Sequence, residues 1–213
     1  MSHFILGVIT KNDPRSQEGE VEIEKLLAPF DEQTEESKYL EFIEDSDGNI
    51  DEKTNKRGYW TNPNAKWDWY TVGGRWPNEI KLLDGTNADH AKIKDIDRTI
   101  DKDEYKKAER FWEVIVEELP LREDESKSDF TNFIKKEYYI NKYGTKGRFA
   151  TNASSFVPYA LLTDEGQWLS KGNMGWFGMS DDSADSLDKA MKEFNKTLDE
   201  KLDHYLTIID CHI

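Results

Sequence analysis

Two histidines and an aspartate lie close to the two ends of the chain. Asp210 and His212 are two positions apart in an apolar C-terminal run, and His3 opens an apolar N-terminal run. Alternation along a strand places Asp210 and His212 on one face. If the two terminal strands pair antiparallel, the histidines meet. With Asp68 they could then bind a metal ion or cleave a phosphoester by acid–base catalysis.

The densest aromatic motif covers residues 62–76, NPNAKWDWYTVGGRW. It is typical of a strand over 66–72 that a glycine pair ends. Alternation then predicts Lys66, Asp68 and Tyr70 on one face of this strand, and Trp67 and Trp69 together on the other.

Two interpretations of this motif stay open. In one, Trp67, Trp69 or Trp76 stacks a planar group and Arg75 holds an anion, with Asp68 accepting a hydrogen bond and Lys66 assisting. In the other, the indoles are ordinary core and Lys66 and Asp68 form a surface pair. The orientation of the motif decides between a pocket and packing.

Two glycine-containing segments add weaker candidates. Arg148, in segment 146–152, could hold a phosphate or carboxylate, although the Walker spacing of glycine and lysine is missing. Trp176, in segment 171–179, could line a pocket or pack beneath the sheet. We therefore predict ligand contacts from both side chains, and we predict no cofactor and no metal.

The elements that would position these residues can be read from hydrophobic periodicity. Predicted strands cover 3–10, 66–72, 79–83, 155–163, 167–170 and 205–211, and predicted helices cover 21–27, 101–119, 130–134 and 187–202. This order predicts an α+β fold, a mostly antiparallel sheet with helices packed on one face. We expect one domain over 1–213, in which 31–58 and 84–130 are variable, insert-like segments.

Composition limits the classes of partner. Lys plus Arg number 29 against 44 Asp plus Glu, a formal net charge of −15. Such a charge repels long nucleic acids, and no apolar run is long enough to span a membrane. The opening residues lack a basic signal-peptide region, and Cys211 is the single cysteine. We expect a cytoplasmic protein without an internal disulfide.

Four motifs together resemble a family of phage and prophage proteins. They are the MSHF start, the central motif over 62–76, the segment GNMGWFG at 172–178 and the closing IDCHI. The resemblance implies an accessory phage protein that acts against bacterial immunity in the host cytoplasm. Proteins of this kind sequester or cleave the nucleotide signals of immune systems.

Three functions follow as hypotheses. The first is a binding protein that sequesters a nucleotide-type immune messenger, such as a cyclic nucleotide or a cyclic ADP-ribose-like signal. The second is a phosphodiesterase that cleaves such a signal with His3, His212, Asp210 and Asp68. The third is an inhibitor whose acidic surface engages a basic host protein. Assembly into a homo-oligomer is compatible with each.

Overall fold

A computed structural model describes residues 2–156, 158–173 and 180–213. Its strands are β1 His3–Thr10, β2 Glu41–Glu44, β3 Gly58–Thr61, β4 Trp69–Val72, β5 Ile80–Lys81, β6 Asn87–Ala88, β7 His90–Lys92, β8 Ala160–Leu162, β9 Trp168–Ser170 and β10 Tyr205–His212. Its helices are α1 Gln17–Leu27, α2 Lys102–Ile115, α3 Lys136–Tyr143, α4 Lys146–Ser154 and α5 Ala184–Glu200.

The two terminal strands form the centre of the main sheet. The strand order is β4-β10-β1-β8-β9, and β7 joins the edge of β10 beside β4. Only the β1–β8 pair is parallel among the described strands of this sheet. The α+β class and the mostly antiparallel sheet are therefore confirmed, as is the antiparallel pairing of the terminal strands.

Helices cover both faces of the sheet. β1 and β10 are apolar and buried on both faces, because neighbouring strands flank each of them and alternate side chains point to opposite sides. α5 packs on one face through Phe194 and Leu198. α1 packs on the other through Ile23 and Leu27. The helical layer is thus divided between two faces where we expected one.

The segment 84–130 contributes to the main sheet. β7 pairs with the first half of β10, and Ala91, Ile93 and Ile96 join the core beneath α5. The segment 31–58 is different, since its strand β2 pairs with β3 in a small two-stranded sheet that is separate from the main sheet among the described strands. Within the described ranges, every helix is too short or too polar to span a bilayer.

The spacing of apolar residues predicted helix α5 correctly, but not the residue at which the helix ends. Ser183 caps the helix by accepting a hydrogen bond from the Ser186 amide, and Leu187, Phe194 and Leu198 form its buried stripe. The predicted continuation through Leu202 is wrong, because the helix ends at Glu200 and Leu202 is 44% exposed.

Truncation of one residue in this stripe tests the packing. Phe194 is 3% exposed in the core under β1 and β10. We expect Phe194→Ala to lower the free energy of unfolding by about 3–5 kcal/mol, since it leaves a cavity. Leu202→Ala, at the exposed end of the predicted stripe, should stay within about 0.5 kcal/mol of wild type. Urea denaturation measures both, and equal effects would contradict this packing.

Candidate active site

The terminal strands bring the side chains of His3 and His212 together on one face of the sheet. They are direct partners in the β1–β10 register, and the side chains of directly opposed residues share a face of the sheet. The two imidazole centroids lie 4.8 Å apart with an interplanar angle of 79°. Strand alternation along the chain ends is therefore sufficient to assemble this pair.

Each imidazole has its own carboxylate partner. His3 Nδ1 lies 2.7 Å from Asp210 Oδ1, and His212 Nδ1 lies 2.6 Å from Asp68 Oδ1. An ionised carboxylate can only accept a hydrogen bond, so Nδ1 must donate in both pairs. This tautomer leaves the lone pair of each neutral ring on Nε2.

β4 carries Asp68 to the second histidine. In the register of β4 and β10, Trp69 lies opposite His212. Asp68 precedes the strand at a bend, and its amide donates to the His212 carbonyl over 3.1 Å. Trp69, His212 and His3 thus form a row across three neighbouring strands.

The histidine cluster is almost completely enclosed. The side chains of His3, His212 and Asp210 are 4%, 9% and 2% exposed, whereas that of Asp68 is 29% exposed. Among the described residues, His212 Nε2 is buried and has no hydrogen-bond partner. An unpaired buried ring nitrogen is costly for a fold, which makes it a candidate for contact with a ligand.

Trp69 lies between the cluster and solvent. Its ring stacks on His212 at 5.0 Å and 15°, and it meets His3 edge-on at 5.3 Å. The residue is nevertheless 46% exposed. One side of the indole is therefore in contact with the imidazoles while much of the ring stays available to a planar ligand.

Arg75 lies directly beside the first histidine pair. Its backbone amide donates to Asp210 Oδ2 over 2.9 Å, so both oxygens of that carboxylate are engaged. The residue is exposed, and its guanidinium forms no ion pair within the described ranges 2–156, 158–173 and 180–213. An exposed cation on a residue whose amide is bonded to this pair can receive an anionic ligand.

The predicted surface of two indoles does not form. Trp67 is 1% exposed in the core on the α1 face, where it contacts Phe30 and Trp168. The bend at Asp68 interrupts the alternation, since β4 begins only at Trp69. Trp67 and Trp69 consequently lie on opposite faces of the sheet.

Two other residues of the motif also lie away from the cluster. Tyr70 packs against the α1-face core, where burial raises the pKa of its hydroxyl. Lys66 is exposed and its amide donates to the Phe30 carbonyl. Of the predicted ligand contacts in this motif, the structure brings Asp68, Trp69 and Arg75 to the histidines, and Trp76 follows on the same loop, half-buried.

Arg148 lies in a different part of the fold. Segment 146–152 belongs to α4, which Thr145 caps, and the Arg148 guanidinium pairs with Asp188 at 2.8 Å and Asp185 at 3.4 Å. Both aspartates belong to α5, and neither contacts the histidine cluster. Trp176 lies outside the described residues.

The sequence did not indicate the backbone contact to Asp210. The signal that could have located it is the Gly73-Gly74 pair, because paired glycines mark close backbone approach as well as turns. For metals, no group of three or more His, Cys, Asp or Glu side chains is placed to hold an ion in the part of the chain that the structure describes.

Comparisons with protein-family models, curated proteins and solved structures gave no match.

Replacement of one carboxylate should affect one histidine only. In Asp210→Asn the amide can donate as well as accept, so His3 is no longer held in the Nδ1–H tautomer and should populate both. His212 should keep its wild-type signals. Long-range ¹H–¹⁵N correlation spectra of the imidazoles report these tautomers.

Asp68→Asn provides the reciprocal control, with His212 changed and His3 retained. If both substitutions changed both rings equally, or neither, the separate pairing of each histidine with its own aspartate would be contradicted.

Proposed function

We propose that this protein cleaves a phosphodiester bond in a small nucleotide-type molecule by acid–base catalysis. The observation that carries this function is the pair of imidazoles packed edge to face, each bonded through Nδ1 to a carboxylate, with His212 Nε2 buried and without a hydrogen-bond partner among the described residues. Two groups that exchange protons at one centre are what phosphoester cleavage needs.

The reaction balances with one imidazole neutral and the other protonated. Nε2 of the neutral ring takes a proton from an attacking water as its oxygen forms a bond to phosphorus. The protonated ring gives its Nε2 proton to the leaving alcohol oxygen as the old P–O bond breaks. The products are a phosphomonoester and an alcohol from a phosphodiester, or two phosphomonoesters where the leaving group is the second phosphate of a pyrophosphate, as in a cyclic ADP-ribose-like signal. Proton exchange with solvent restores the two rings.

The carboxylates hold the rings in the tautomer that this reaction uses. Asp210 and Asp68 accept from Nδ1, and their negative charges stabilise the imidazolium that forms when Nε2 is protonated. Neither aspartate transfers a proton itself. Each is a positioning residue for its histidine.

The substrate class follows from the groups around the pair. Trp69 offers a partly exposed indole for a base to stack on, and Arg75 offers an exposed cation for a phosphate. The net charge of −15 opposes a long polyanion but not one small anion at a local cation. These features support a mono- or dinucleotide rather than a polymer.

The cellular role belongs to the same proposal. The resemblance to phage proteins supports removal of a nucleotide immune signal, such as a cyclic nucleotide or a cyclic ADP-ribose-like molecule, in the host cytoplasm. The second candidate is sequestration of that signal without cleavage. It is favoured by the enclosure of the histidines, whose side chains are 4% and 9% exposed.

One incubation experiment distinguishes cleavage from sequestration. The purified protein is mixed with a panel of cyclic dinucleotides and cyclic ADP-ribose isomers, and its thermal midpoint is recorded. Chromatography of the heat-released ligand then shows whether the ligand is intact. We expect a stabilising shift and a cleaved product.

Variants assign the product to the site. His3→Ala and His212→Ala should each lower the cleavage rate at least about 100-fold, because each removes one proton-transfer group. His90→Ala, which changes a histidine of β7 outside the cluster, should cleave at the wild-type rate. Thermal midpoints of all variants confirm folding. Cleavage that survives both His3→Ala and His212→Ala contradicts the assignment, and an intact ligand after stabilisation establishes sequestration.

Substitutions of Arg75 and Arg148 provide a second test with a matched control. Arg75→Ala should weaken ligand binding by about tenfold or more, the range of a charge-assisted hydrogen bond. Arg148→Ala should leave affinity unchanged, since its guanidinium is engaged by α5. Calorimetry with the best ligand of the panel measures both, and a larger loss in Arg148→Ala would move the anion site to α4. If no compound of the panel binds, both candidate functions are contradicted.

A further inference from the structure

The turn that follows β4 lies directly against the carboxylate of the first histidine pair. Gly73 and Gly74 have φ values of +68° and +54°, in the left-handed region that favours glycine. The Trp76 amide donates to the Gly73 carbonyl over 2.9 Å and closes the turn. Residues other than glycine can adopt these positive φ values at some energetic cost. The backbone conformation therefore does not by itself explain why both positions hold glycine.

Close approach supplies the stronger reason at Gly74. A Cβ atom on this residue would lie 2.4 Å from both Cβ and Oδ2 of Asp210, and 2.7 Å from Cγ2 of Thr71. A side-chain Cβ does not approach non-bonded atoms this closely, and Asp210 is 2% exposed. Any side chain at position 74 therefore requires Asp210 or the turn itself to shift.

We infer that Gly74 is a positioning residue for the acid–base site, because it lets the main chain pass close enough to Asp210 to fix that carboxylate. The next amide, that of Arg75, then donates to Oδ2 over 2.9 Å while Oδ1 remains directed at His3 Nδ1 at 2.7 Å. The catalytic role of Gly74 rests on the proposed function. The effect of Gly74 on the orientation of Asp210 and His3 does not depend on that function.

The same turn also fixes the backbone position of Arg75, the residue proposed to bind the anion. The backbone amide of Arg75 is hydrogen-bonded to Asp210, the partner of His3. One short segment of chain therefore fixes both the point from which the Arg75 side chain extends and the orientation of the His3–Asp210 pair. A displacement at Gly74 should therefore disturb the proton-transfer group and the binding of the substrate phosphate together.

Two other glycines provide matched controls. Gly85 and Gly166 have φ values of +86° and +81°, and a Cβ on either would meet no atom within 4 Å. Gly85→Ala and Gly166→Ala reproduce the backbone strain of Gly74→Ala without the collision. The difference between the variants isolates the contact with Asp210.

The test is the imidazole spectrum of Gly74→Ala, with kinetics beside it. We expect long-range ¹H–¹⁵N spectra to show an altered tautomer of His3 and a retained signal for His212. Cleavage of the best substrate should fall at least about tenfold, with kcat and KM both changed and a shifted pH–rate profile. Both control variants should keep the wild-type spectrum and rate. A wild-type His3 signal in Gly74→Ala would overturn the inference.

A double variant decides the outcome if Gly74→Ala does not fold. Asp210→Gly removes two of the three atoms that the new Cβ would meet and leaves Thr71 Cγ2, so Gly74→Ala should cost less stability in that background than it costs in wild type. An equal loss with and without the Asp210 side chain would overturn the inference. If wild type cleaves nothing, the proposed function fails, while the spectra and the stability cycle still test Gly74.

Discussion

The antiparallel pairing of β1 with β10 is the interaction on which the rest of the structure depends. These two strands form the centre of the main sheet, and their apolar residues supply both cores. The same register sets His3 opposite His212. A one-residue slip would turn one histidine to the other face, so the pairing that stabilises the fold also creates the site. The two chain ends are therefore indispensable to the proposed chemistry.

The free-energy cost of burying the polar histidine cluster in the sheet must be offset by hydrogen bonds. His3, His212 and Asp210 are almost fully buried, and buried polar groups cost free energy unless they are hydrogen-bonded. Most of the cluster is satisfied by the two His–Asp bonds and the Arg75 amide. His212 Nε2 is the exception. A buried nitrogen that the fold leaves without a hydrogen bond is the natural place for a substrate proton or phosphate oxygen to bind. His212 Nε2 therefore links the structure to the proposed function.

Much of the framework could be predicted from the sequence, because it depends on local periodicity. Continuous apolar runs identified both terminal strands, and the spacing of Leu187, Phe194 and Leu198 identified α5. The indole orientation could not be predicted, since one bend at Asp68 shifts the alternation and separates Trp67 from Trp69. The position of Arg148 on a helix away from the histidines could not be predicted for a related reason. Glycine in 146–152 indicated a ligand loop, whereas a Thr145 cap starts a helix there and α5 supplies the partners of the arginine.

The most direct test of the account is a crystal structure of the protein with orthovanadate, an oxyanion that mimics phosphorus during phosphoester cleavage. The account predicts vanadate between His3 and His212, with an oxygen within about 2.6–3.2 Å of each Nε2, and with Trp69 displaced from its stack on His212. Vanadate bound elsewhere, with the two imidazoles still enclosed and their Nε2 atoms unoccupied, would contradict the claim that this pair is a catalytic centre.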